Sequence, residues 1–205
     1  MKLLKKVPAI EVKRCFVLSQ RFTSKKIRNK TILRDKQRVS SDSFAADLRE
    51  QKKKVLALSE KSLDKIIKSE YNLRYKMYND LAWYIGEVSA NEVCLWRWAG
   101  GLYRSWTERK TLYQTAQLFH KEFKKNTSRL KRVRAYSVVS DIIRQKEIIS
   151  REQYLLPIAV PTGSYKEHRA GIRSIPLFLD DGNMRSLTYV IAGEKMIRMY
   201  VGVKK

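Results

Sequence analysis

Acid–base chemistry in this chain would fall to very few groups, since its 205 residues include only two histidines, His120 and His168. His168 stands in SYKEHRAG beside Tyr165, Lys166 and Arg169. An imidazole and a phenol so placed can in principle cleave RNA without a metal. A lone loop histidine beside cations is far more often a phosphate contact or has no functional role. His120 falls near the apolar side of KTLYQTAQLFHKEF and reads as structural. Asp180 and Asp181 are adjacent and fit a turn better than a metal-holding pair. Cys15 and Cys94 lie far apart and outside any CxxC spacing, which argues against both zinc and a disulfide and suits a reducing compartment. No phosphate loop or dinucleotide fingerprint occurs. The expectation is a protein that is not an enzyme and takes no cofactor.

Binding residues are plentiful. Lysine and arginine total 44 against 20 acids, a formal charge of +24, with a sequence pI near 10.1. Such an excess repels itself and calls for a polyanion, whose phosphates release counterions on contact. A membrane surface would want a polybasic run beside an amphipathic helix or a lipidation signal, and neither is present. No apolar run approaches the ~18 residues of a membrane span. Three segments carry the expected contacts. The first is Lys25 to Arg38, with Lys25, Lys26, Arg28, Lys30, Arg34, Lys36 and Arg38, read as an arm that orders on phosphates. The second is ANEVCLWRWAGGLYRSW, Ala90 to Trp106, which holds three of the four tryptophans and the arginines Arg97 and Arg104. Trp96 and Trp98 either fill the core or stack on bases, and the sequence leaves both open. The third is Lys124 to Arg134, where Lys124, Lys125, Arg129, Lys131, Arg132 and Arg134 occur with no acid among them. Aromatics interleaved with arginine favour RNA over duplex DNA, for which zinc-finger, zipper and helix-turn-helix patterns are all lacking.

These residues need a scaffold, and the pattern predicts an α+β fold with a helical N-terminal half, a central hairpin, C-terminal antiparallel strands and a basic N-terminal arm. The arm is drawn over residues 1–42 and a single RNA-binding domain over 43–205. Ile10, Val12, Phe16 and Val17 read as a short strand. Ser41, Asp42 and Ser43 offer N-cap side chains for a helix from about Phe44 to residue 58, and a shorter helix covers about 62–68. Leu73, Met77, Leu81 and Ile85 recur every four residues and predict a helix from Glu70 to Val88. Val93 to Trp98, Gly100-Gly101 and Leu102 to Trp106 predict a hairpin. Helices are expected over Lys110–Lys125, with Leu112, Ala116, Phe119 and Phe123 inward, and over about 128–149. YLLPIAV, IRSIPLFLD, RSLTYVIAG and KMIRMYVGV read as strands, with Asp181-Gly182 as a hairpin turn.

The blocks ANEVCLWRW, KTLYQ…FH, LLPIAV and YVIA, in this order, resemble the backbone subunit of the type I-F CRISPR surveillance (Csy) complex, copies of which polymerise along a guide RNA. Asn91, Leu95, Trp96 and Arg97 match the first block, and Lys110 to Tyr113 with His120 the second. Pro157 to Val160 match the third and Tyr189 to Ala192 the fourth. The family chain is much longer, its central region is compressed here, and Trp98 stands where it prefers Asn. The resemblance implies a shortened homologue in antiviral defense that sits on guide RNA or imitates the subunit and blocks assembly.

The expected function is thus a non-catalytic RNA-binding subunit of a cytoplasmic ribonucleoprotein, partnered by guide RNA and other subunits and by no membrane. A ribosomal rRNA-binding protein, in the cytoplasm or an organellar matrix, is the alternative. A metal-independent ribonuclease using His168 and Tyr165 is a second.

Overall fold

A computed structural model describes residues 1–23, 40–70, 72–96, 99–125, 134–164 and 174–205, with only the backbone at 21–23 and 70. In chain order the first elements are β1 (Lys2–Val7), α1 (Ala9–Thr23), α2 (Ser41–Leu56), α3 (Glu60–Glu70), α4 (Asn72–Asp80), β2 (Leu81–Ser89) and β3 (Val93–Cys94). A 3-10 turn at Ala99–Gly101 leads to α5 (Arg104–Thr107), α6 (Leu112–Lys125), α7 (Arg134–Arg144) and α8 (Lys146–Arg151). A second such turn, Gln153–Leu155, precedes β4 (Ile158–Pro161), β5 (Leu177–Asp181), α9 (Asn183–Ile191) and β6 (Met196–Lys204). The fold is α+β, as the sequence predicts.

The chain divides into two compact units. One, the sheet unit, takes residues 1–7, 81–144 and 157–205; the other, the helical unit, takes 8–80 and 145–156. The boundary expected at residue 42 followed charge. Regular structure begins earlier, because β1 and α1 lie within those first residues. The segment Lys25–Arg38 lies outside the described residues.

In the helical unit, Pro8 precedes α1 and Glu11 lies in its first turn, both favourable at a helix start. Val12, Cys15, Phe16 and Ser19 are buried at helical spacing, so this segment is a helix where the sequence predicts a strand. Phe16 meets Tyr78 edge-on at 5.5 Å, and the Arg74 guanidinium lies 5.1 Å over the Phe16 ring. The Cys15 thiol donates to the Leu156 carbonyl at 3.2 Å. Helix α2 is capped by Ser40, one residue ahead of the predicted trio, its hydroxyl accepting from the Ser43 amide at 3.2 Å. Lys13 is fully buried, and its ammonium meets Asp64 at 2.7 Å, Glu60 at 2.9 Å and the Asn79 side-chain oxygen at 2.9 Å. Burial by itself lowers the Lys13 pKa, but Asp64 and Glu60 outweigh it and leave the group above its ordinary value.

The sheet runs β1-β2-β6-β4-β5-β3. β1, β2 and β6 pair antiparallel, β6 pairs parallel with β4, β4 antiparallel with β5, and β5 parallel with β3. Three predicted elements change here. The helix expected over Glu70–Val88 stops at Asp80, and Leu81–Ser89 is a strand with Leu81, Trp83 and Ile85 buried on alternate positions. Leu81 and Ile85 satisfy a period of four and a period of two alike, and the aromatic and β-branched content decides for the strand. The central hairpin is absent. β3 pairs with β5, the Trp96 amide donates to Asn183 Oδ1 at 2.9 Å, and α5 occupies the predicted return strand.

RSLTYVIAG is also not a strand. Gly182, in the left-handed region at φ 79°, begins α9, and Asp181-Gly182 is a strand-to-helix turn rather than a hairpin. Arg185 to Val190 are buried in succession. A helix enclosed on all sides shows no polar face, so its sequence mimics a buried strand. The strands expected at YLLPIAV, IRSIPLFLD and KMIRMYVGV are present as β4, β5 and β6. The helix expected over 128–149 is α7 followed by α8, with residues 126–133 outside the described part.

Candidate nucleic-acid interface

Of the predicted contacts, the structure describes Trp96, Arg104, Lys124, Lys125 and Arg134. Lys25, Lys26, Arg28, Lys30, Arg34, Lys36, Arg38, Arg97, Trp98, Arg129, Lys131 and Arg132 lie outside the described residues, as do Tyr165 and His168. The five that are described all belong to the sheet unit.

Helix α6 buries Leu112, Ala116 and Phe119, which leaves Lys124 and Lys125 exposed in its last turn. Cations there complement the negative end of the helix dipole. Arg134, also exposed, opens α7. No acid sits in that first turn, so Arg134 adds positive charge to the positive end of the helix. The Arg134 end favours an anion from outside. Among the described residues Lys124, Lys125 and Arg134 form no ion pair.

A chain of aromatic rings links these cations to the tryptophan-rich stretch. Tyr103 meets Trp106 at 4.9 Å, Trp106 meets Phe119 at 6.3 Å, Phe119 stacks on Phe123 at 5.7 Å, and Phe123 meets Tyr136 at 5.1 Å. Only Phe119 is fully enclosed; Tyr103, Trp106, Phe123 and Tyr136 are each partly exposed. The Phe123–Tyr136 contact also holds together the two ends of the run Lys124–Arg134. From the other side, Gly100 and Gly101 rest on the start of α7. A methyl group at Gly100 would stand 2.5 Å from Met184 Sδ and 3.2 Å from Ala135 Cβ, and one at Gly101 would stand 3.9 Å from Arg134. Both glycines have positive φ, 58° and 74°, which side chains resist. The Gly-Gly pair therefore serves close packing of two segments rather than a hairpin turn.

Trp96 lies edge-on to Phe178 of β5 at 5.8 Å and is partly buried. Arg104 is exposed and held by Glu108, with hydrogen bonds of 2.8 and 2.6 Å that raise its pKa. The sequence reading missed Tyr103, Phe123 and Tyr136 as members of the site. Their only signal was aromatic residues flanking both basic segments, since the ring contacts from Trp106 to Phe119 and from Phe123 to Tyr136 each join positions 13 apart, which only the fold brings together.

Other groups with potential chemistry are placed as follows among the described residues. Asp181, buried, pairs with Arg185 at 2.8 Å. Cys15 and Cys94 are both free and buried, and burial pushes the Cys94 thiol up to about 12. His120 is partly exposed on α6 with a buried Nδ1. Among the described residues no three His, Cys, Asp or Glu side chains gather to hold a metal ion, and no helix is long and apolar enough to cross a membrane.

Fold and surface together define a basic α+β protein whose sheet unit carries a cation-flanked aromatic chain. Comparison with models of protein families, with curated proteins and with solved structures returns no match to this chain.

Proposed function

We propose that the chain is a non-catalytic RNA-binding subunit of a ribonucleoprotein, gripping phosphates with Lys124, Lys125 and Arg134 and offering partly exposed rings to bases. The observation that carries this reading is the juxtaposition of those three cations, none in an ion pair among the described residues, with the aromatic chain that includes Phe123 and Tyr136. Cations tracking a backbone beside stacking rings are the recurring device of single-strand binding. Free cysteines in both units agree with a cytoplasmic setting.

The more specific form of the proposal is the type I-F CRISPR backbone homologue. Asn91, Leu95, Trp96, Arg97, Lys110–Tyr113, His120, Pro157–Val160 and Tyr189–Ala192 all fall in the residue ranges of the sheet unit, so this form of the proposal concerns that unit. A ribosomal role differs in the RNA rather than in the chemistry.

Two measurements test this. Electrophoretic titration of the triple variant Lys124→Glu/Lys125→Glu/Arg134→Glu against single-stranded RNA should show weaker binding and a salt slope shallower by about 2, at ~0.7 per phosphate lost. Unchanged affinity and slope would sink the proposal. Sequencing the RNA that co-purifies with the native chain separates the forms: guide-length RNA supports the CRISPR homologue, rRNA the ribosomal reading.

A further inference from the structure

We infer that the helical unit carries a second phosphate-binding face, made by Lys61, Lys65 and Lys68 of α3 and suited to the backbone of single-stranded RNA. The inference rests on the reading of the chain as an RNA-binding protein and assigns a contact to a helix where none was expected.

The three lysines are exposed and stand at i, i+4 and i+7. At 3.6 residues per turn they fall within about 60° of the helix circumference and span about 10 Å along its axis. That length covers about three phosphates of one strand, at ~3.4 Å each in a stacked helix. On the opposite side of α3, Leu63 and Ile67 are completely buried. The stripe is therefore fixed in direction by the core and is not a free tail.

Two acids of the helix are turned elsewhere. Asp64, which stands three residues after Lys61 and four before Lys68 and could neutralise both, is drawn with Glu60 to the buried Lys13, at 2.7 and 2.9 Å respectively. Among the described residues Lys61 and Lys65 have no acidic partner. Lys68 reaches a ring instead, its ammonium 5.8 Å over Tyr75. Like charges at this spacing destabilise a helix in isolation, so the arrangement weakens α3 and strengthens only an attraction to an outside polyanion. A membrane surface would want the apolar face as well as the lysines, and that face is buried.

The test replaces Lys61, Lys65 and Lys68 together by glutamine, which keeps helix propensity and leaves Lys13 and its carboxylates in place. Binding to fluorescein-labelled oligouridine is then measured across a salt series. The salt slope should become shallower by about 2, while the melting temperature holds or rises as repulsion is relieved. In parallel, acetylation of wild-type lysines read by mass spectrometry should show Lys61, Lys65 and Lys68 protected by oligouridine, a readout independent of how any variant folds. A slope unchanged in this variant but reduced in the Lys124/Lys125/Arg134 variant overturns the second face and leaves the proposed function standing. A wild-type chain that binds no RNA overturns both. Protection by phosphatidylserine vesicles and not by oligouridine overturns the assignment to RNA.

Discussion

The helical unit and the sheet unit each bury a cation, and they do so differently. Lys13 is enclosed completely, but its partners remain in reach of water, with Glu60 54% and Asp64 27% exposed. Those partners lie 47 and 51 residues away in the chain, so the pair is a tertiary tie between α1 and α3. In the sheet unit Arg185 and Asp181 are both enclosed, at 9% and 12%, and only one helical turn apart. The first joins elements and, if its cation goes, leaves one of its two carboxylates, that of Glu60, largely hydrated. The second is local but leaves a carboxylate buried if the arginine goes. Burial of the surviving partner, rather than distance along the chain, sets the expected cost.

The largest effect follows directly. Arg185→Met should cost about 3–5 kcal/mol, the usual loss when one member of a buried pair is removed. Denaturant unfolding measures it, and Asp181→Asn added to Arg185→Met should recover part of the loss. Lys13→Met should cost less, toward the lower end of that ~3–5 kcal/mol range, because Glu60, 54% exposed, stays hydrated when the cation goes. A larger loss for Lys13→Met than for Arg185→Met would overturn the comparison.

Alkaline titration divides the units by another route. Lys13 has a raised folded pKa, so its contribution is whole below its ordinary 10.5 and is lost as pH rises through the folded value. Cys94 also has a raised pKa, and its contribution is whole below 9.0 and is lost as pH climbs toward about 12. Tyr189 of the sheet unit and Tyr154 of the helical unit, both pushed up to about 12 chiefly by burial, act in the same direction. Stability should therefore begin to fall just above pH 9, with the sheet unit's amides losing hydrogen-exchange protection first. A loss that starts in the helical unit would contradict this order.

Gly100→Ala should cost about 1–2 kcal/mol from the left-handed backbone alone, plus whatever displacing Met184 adds, and should weaken RNA binding by shifting the start of α7. The smallest effect concerns Glu108→Gln. Releasing Arg104 should leave the melting temperature unchanged and steepen the RNA salt slope by about 0.7, one phosphate contact more.

Much of this fold was legible where period and composition agreed. Helix α6 followed from Leu112, Ala116 and Phe119 at helical spacing, and β4, β5 and β6 from short apolar runs between turns. It was illegible where one residue set served two periods, as at Leu81 and Ile85, or where a helix was enclosed on every side, as at Arg185 to Val190. Among the candidate contacts, Lys124, Lys125 and Arg134 could be named from charge alone. The Tyr103–Trp106–Phe119–Phe123–Tyr136 chain could not, since rings meet only after three helices pack.

By itself, the amino-acid sequence determined the sign and size of the charge, the α+β class and the segments where cations concentrate, because these depend on composition and local order. Tertiary structure alone decided which cations stay uncompensated. Whether an acid neutralises its neighbour on a helix or turns to a buried lysine 51 residues away depends on what packs beneath it, and Lys13 beneath α3 draws off Asp64, the acid within reach of Lys61 and Lys68.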